Sequence, residues 1–186
     1  MNRLLLILCL ITPLLARAGV TIHFEGEARD TKAVDAVIAE ATAFAVSHQW
    51  RVEPVSKDKA ELERVKDEKS VKYVGPLRGV ILFPHAMCEP IHMEFGSDRA
   101  LQDFVKTQFA GADVHIAIIE LLRSLKPQFT RLKVEDEGEY WETSERTKLE
   151  QHINTVNRML KDILREKPSA RGPIKLKDGR IADVIQ

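Results

Sequence analysis

The chain has 186 residues, with 28 basic and 28 acidic side chains, 44% hydrophobic residues and two cysteines. That length suits one domain of ordinary size, with a core that needs no disulfide staples. The even charge balance argues against a dedicated nucleic-acid binder, which needs a clustered basic face against phosphate.

The amino terminus carries Asn2 and Arg3, then the apolar run LLLILCLITPLLA, then Ala16-Arg17-Ala18, the small-residue pattern of a signal-peptidase site. The run is broken by Pro13 and falls short of the ~20 residues that cross a bilayer, so residues 1–18 are expected to be a cleaved secretory signal. The mature protein is then exported, periplasmic or extracellular, without a stable membrane anchor. Cleavage discards Cys9, Arg3 and Arg17, which tips the balance slightly acidic and leaves Cys88 alone. A lone thiol makes no intramolecular disulfide; it is buried and inert, paired between chains, or reactive, and the burial ranking favours the first.

Val20, Ile22 and Phe24 alternate with Thr21, His23 and Glu25, the period of a strand covered on one face, which turns His23 outward. Asp30 then caps a helix whose Val34, Val37, Ile38, Ala41, Phe44 and Ala45 recur at three and four. Trp50, Val52 and Val55 predict a short strand that Pro54 pushes to an edge. The stretch SKDKAELERVKDEKS offers a core only Ala60, Leu62 and Val65, so residues 56–70 read as a charged insertion, either a solvated helix or a mobile segment.

GVILF, from Gly79, lacks alternation, as a strand in the middle of a sheet does. Beyond PHAMCEP, Ile91, Met93 and Phe95 alternate with His92 and Glu94, predicting an antiparallel neighbour. Ala100, Leu101, Phe104, Val105 and Phe109 then take helical spacing, with Ser97 or Asp98 as cap and Gly111 as stop. DVHIAIIELLRSLKP carries so wide an apolar stripe that it reads as the central buried helix. FTRLKVEDEGEYW gives a strand through Leu132 and Val134 and a turn at Gly138. A long helix through Leu149, Ile153, Val156, Leu160 and Ile163 follows, capped by Thr143 or Ser144, its stripe too short for a coiled coil. Residues 167–186 form a tail or a small hairpin, with Ile174 and Leu176 facing Ile181 and Val184.

These elements neither alternate regularly nor segregate. They predict one α+β domain over residues 19–166: a mainly antiparallel sheet of about four to six strands, with three or four helices largely on one face.

Three groups of residues carry candidate chemistry. In IHFEG and IHMEFG, residues two apart share a strand face, so His23 with Glu25 and His92 with Glu94 each present an imidazole and a carboxylate outward. If the two strands are neighbours, the four groups suit a divalent transition metal such as zinc. The plainer reading is two strands with wet outer faces and no cofactor, and it is the preferred one. In PHAMCEP, Cys88 stands beside His85 and Glu89, a pattern compatible with a reactive thiol but more commonly a buried one. His48, His115 and His152 read as structural or solvent-washed.

EDEGEYWE joins Glu135, Asp136, Glu137, Glu139 and Glu142 to Tyr140 and Trp141. Aromatic anchors among acids make a partner surface, with Glu137, Glu139, Tyr140, Trp141 and Glu142 as its centre. The competing reading is that Trp141 staples the last helix to the sheet. With no catalytic signature in the chain, the sequence points to an exported, non-enzymatic module of inhibitor or immunity type that binds a protein partner. A metal-dependent hydrolase built on the His-x-Glu strands is the alternative.

Overall fold

The structure, a computed structural model, describes residues 19–66 and 69–185. The leader expected over residues 1–18 lies outside the described residues. The architecture is α+β, and in place of the one sheet expected it has two three-stranded antiparallel sheets and a two-stranded one, with helices packed against them. Among the described residues no helix is long and apolar enough to cross a membrane.

Strand β1 (Thr21–Ala28) buries Ile22 and Phe24 and exposes His23, as its alternation requires. It is the middle strand of a three-stranded antiparallel sheet, between β5 (Ala100–Lys106) and β6 (Phe129–Asp136). Helix α1 (Thr31–Ser47) starts where Asp30 Oδ1 accepts the Ala33 N–H at 2.7 Å. It lays Val34, Val37, Ala41 and Ala45 into the core. A second three-stranded sheet runs β2 (Arg51–Lys66), β3 (Lys69–Phe83) and β4 (Ile91–Phe95). GVILF lies in its central strand and Pro54 on an outer one, the place in a sheet that tolerates proline.

The charged run does not form a helix or a loose insertion. Residues 51–66 and 69–83 make one long antiparallel hairpin. Ala60 and Leu62 sit opposite Gly75 and Tyr73, giving the arm a half-buried face of period two inside a sequence that otherwise reads as salt. That face folds back on residues 96–100. The Tyr73 hydroxyl donates to Pro76 O at 2.7 Å and accepts the Ser97 N–H at 2.9 Å, and Arg64 reaches Asp98 and the Ala100 carbonyl.

The helix expected over residues 97–111 is also a strand, β5. Leu101 and Val105 face the core while Phe104 faces out, and Asp103 occupies the core-side position between them. An acid turned inward and a phenyl turned outward erase period two and mimic helical spacing. Asp103 accounts for the exchange: its Oδ2 accepts the His92 N–H at 2.8 Å, joining β5 to β4 where the sheets meet.

Helix α2 (Ala112–Leu125) is the central helix, with Ile118, Ile119, Leu121, Leu122 and Leu125 buried. Each such side chain contributes about 1.5–3 kcal/mol of apolar burial. A 3-10 turn (Lys126–Gln128) leads to β6. The short helix α3 (Tyr140–Thr143) precedes α4 (Arg146–Glu166), whose Leu149 and Ile153 close a second cluster with Val20. The expected cap is displaced by one or two residues: Glu145 holds the N-cap position, and its N–H is taken by Thr143 Oγ1 at 3.2 Å. The tail folds as a small hairpin, β7 (Ile174–Lys175) with β8 (Ile181–Ala182), turning at Gly179 with φ 88°.

Candidate functional site

The outer face of the first sheet is the floor of a groove of about 1060 Å³. Register fixes its centre. His23 sits between Phe104 and Glu135, and Glu25 between Gln102 and Lys133. The His23 and Phe104 rings stack with centroids 5.7 Å apart, and Phe104 is 40% exposed, unusual for a phenyl ring. The hairpin arm supplies one wall through Glu63 and Val65. It is latched there by Gln102: its Oε1 accepts the Val65 N–H at 2.7 Å, and its Nε2 donates to Val65 O at 2.8 Å and to Glu25 Oε2 at 3.0 Å. The turn after β6 and helices α3 and α4 supply the other wall through Glu137, Glu139, Glu142, His152 and Val156. Arg180 closes one end.

Acids dominate this lining. Glu25, Glu63, Glu135, Glu137, Glu139 and Glu142 face it against Lys133 and Arg180. Lys133 is shared by Glu135 at 2.5 Å and Glu25 at 3.8 Å, and Glu135 beside it holds the ammonium above the ordinary lysine range. Glu139 pairs with Lys148, which holds its carboxyl below the usual carboxylate range, and lies 3.5 Å from His152 Nε2. A concave, low-dielectric wall of one sign focuses its field on an approaching cation.

EDEGEYWE folds as a hydrogen-bonded turn. Asp136 Oδ1 accepts the Gly138 N–H at 2.7 Å and Oδ2 the Trp141 N–H at 2.9 Å. Glu139 takes a left-handed backbone, φ 57°, and Glu137 Oε2 accepts the Thr21 N–H at 3.0 Å. Tyr140 and Trp141 are half-buried against the main core, with Arg123 and Lys126 over the rings. Arg123 donates to the Tyr140 and Trp141 carbonyls at 3.1 and 2.8 Å. The two aromatics thus pin the turn to α2 and the sheet, while Glu137, Glu139 and Glu142 line the groove.

The two His-x-Glu strands are not neighbours. Strand β5 stands between β1 and β4, so His23 and Glu25 lie across it from His92 and Glu94, and the four groups do not converge. Among the described residues, no three His, Cys, Asp or Glu side chains are arranged to hold a metal ion. His92 instead pairs with its own neighbour, Nδ1 at 3.3 Å from Glu94 Oε2. That bond, with Asp103 nearby, holds the imidazole above the usual histidine range despite partial burial. Cys88 is 1% exposed, and burial, with Glu89 beside it, pushes its thiol up to about 12, so the sulfur stays protonated at neutral pH. His85 turns its Nδ1 to the Met87 N–H.

One hydroxyl–imidazole–carboxylate array was not legible in the sequence. Thr107 Oγ1 lies 2.7 Å from His115 Nδ1, and His115 Nε2 lies 3.0 Å from Asp136 Oδ1. The order is that of a proton relay, but His115 Nε2 makes no hydrogen bond of good geometry, so the link to Asp136 is one of proximity. Neither the His115 nor the Asp136 side chain reaches solvent, and Thr107 also bonds Val20 O. The array therefore ties the segment before β1 to α2 and to the turn after β6. The groove residues missed at the sequence level, Gln102 and Phe104, sit in the stretch that mimics a helix, and Arg180 gives no signal because its role depends wholly on where the tail folds.

Compared with known proteins, the chain matches no family model, no curated protein and no solved structure.

Proposed function

We propose that this protein is an exported, non-enzymatic binding module of inhibitor or immunity type that holds a basic region of a protein partner in the groove. The observation that carries the reading is the acidic lining around an exposed ring: six glutamates and the His23–Phe104 stack on a preformed concave surface. Carboxylates steer a basic surface inward and set its register, and the flat aromatic floor gives apolar area to an arginine or lysine stem. A groove fixed by β-sheet, hairpin and helix needs little ordering on binding, which lowers the entropic cost of association.

The test is charge reversal at Glu137, Glu139 and Glu142 together, with folding verified by circular dichroism. Association with an array of lysine- and arginine-containing peptides is measured at low and physiological salt. The triple variant should associate at least about tenfold more slowly at low salt, the difference shrinking as salt screens the field. A folded triple variant that binds as the unaltered protein does removes this surface from consideration.

A further inference from the structure

The far end of the groove already holds a guanidinium. Hairpin β7–β8 carries Arg180 over the Phe104 ring, 3.9 Å from its centroid, where Nη1 donates to Phe104 O at 3.0 Å. Two carboxylates face it, Glu89 Oε2 and Asp103 Oδ1, each at 3.4 Å. Both are buried, with side chains 3% and 5% exposed. The Glu89 carboxylate also takes the Lys106 and Ile181 N–H groups, and the Asp103 carboxylate takes that of His92. An aromatic face, a carbonyl and two carboxylates in one cleft match a planar, multiply donating cation rather than an ammonium.

Arg180 fills this seat imperfectly. A tight guanidinium–carboxylate bond spans about 2.7–2.9 Å, and both contacts here are longer. Burial raises the Asp103 carboxyl above its ordinary range, against the pull of the His92 N–H and imidazole, the Phe104 N–H and Arg180. The hairpin that delivers Arg180 is also weakly anchored. Its strands are two residues each, Ile181 is its one deeply buried large apolar side chain, and Leu176 and Ile185 stay exposed. Its other ties are polar: Lys106 to Asp183 at 2.8 Å, and Lys175 to the Ala86 and Cys88 carbonyls.

We propose that the Glu89–Asp103–Phe104 cleft is a guanidinium-recognition seat, filled in the free protein by the chain's own Arg180 and taken on binding by an arginine of the basic partner, which displaces the C-terminal hairpin. The displacement step rests on the reading of the groove as a receptor for a basic partner; the seat stands on its own geometry.

The test needs no partner. The full chain with Arg180→Ala is titrated by NMR with N-acetyl-arginine amide, and with its lysine and citrulline counterparts. The variant should bind the arginine amide saturably, about tenfold more tightly than the lysine amide, and should not bind citrulline. Adding Asp103→Asn should weaken arginine binding about tenfold. In the unaltered protein, excess arginine amide should speed hydrogen exchange at the Ile181 N–H, because Glu89 loses its hold on the hairpin as Arg180 leaves. Arg180→Gln replaces the alanine variant if the latter does not fold. A folded variant that ignores the arginine amide, or binds arginine and lysine alike, overturns the seat. Unchanged exchange at Ile181 overturns the displacement. Because the charge reversals lie at the turn after β6, either reading can fail while the other stands.

Discussion

Replacing Asp136 with alanine removes the acceptor of two backbone N–H groups and the carboxylate that faces His115. Its carboxylate takes the Gly138 and Trp141 N–H groups at 2.7 and 2.9 Å and lies 3.0 Å from His115 Nε2, with the side chain shut from solvent. Each N–H group left without a partner costs about 1–3 kcal/mol, and the cavity left by the lost side chain adds to that. These penalties overlap, so the expected loss for Asp136→Ala is about 4 kcal/mol, a large part of the roughly 5–15 kcal/mol that holds a domain folded. In urea that lowers the midpoint by about 2 M at an ordinary slope. Asp136→Asn keeps one acceptor oxygen and should lose about half as much.

Acid gives a second readout. Burial alone pushes the Asp136 carboxyl up, but His115 and the two N–H groups outweigh it and hold the carboxyl below its ordinary range. The folded value is therefore the depressed one. Its contribution is complete above the unfolded carboxylate range and is lost as pH falls through the folded value. The asparagine variant should lack this part of the acid slope. An alanine variant within about 1 kcal/mol of the parent would refute the reasoning. So would an asparagine variant with an unchanged acid slope.

Cys88 should resist a thiol probe in the native state at neutral pH and react once the chain is unfolded, since its thiol is pushed up to about 12; rapid native labelling contradicts this. Glu94→Gln should lower the His92 titration followed by NMR. The elevated folded value means the His92–Glu94 pair stabilises fully below the ordinary histidine range and loses that effect as pH rises through the folded value, so an unmoved titration counts against the pair. Gly79→Ala puts a Cβ against the Met93 carbonyl across the β3–β4 ladder and should cost about 2–3 kcal/mol by calorimetry; a neutral effect would mean these strands are farther apart.

The elements that were legible are those whose polarity follows a single period. β1, α1, β4, α2, β6 and α4 each separate apolar from polar by face, and the Asp30 cap follows from local chemistry alone. The two misread stretches fail for tertiary reasons. In β5 the inward Asp103 is satisfied by the His92 N–H of a strand from the other sheet, and the outward Phe104 by His23 and Arg180. Neither partner is local. In the β2–β3 arm, Tyr73 and Arg64 find partners at residues 96–100, so a run that looks like solvated charge has a side to rest on. For the candidate site, the acids of EDEGEYWE were visible as a cluster, but the groove they line comes from a sheet, an arm and a tail that meet only in three dimensions.

The middle position of β1 bears on when the molecule can become itself. Its neighbours arrive late in synthesis: Ile22 waits for Val105 on one side and Asp136 on the other. Until both exist, β1 keeps at least one bare edge, with α1 the early element able to cover its apolar face, a state prone to pairing with other chains. A chain arranged this way cannot lock in from its front end as it emerges. Its first sheet stays open until β6, which ends at Asp136, has been made, and whatever keeps it from sticking in that interval matters as much to its yield as the strength of the finished core.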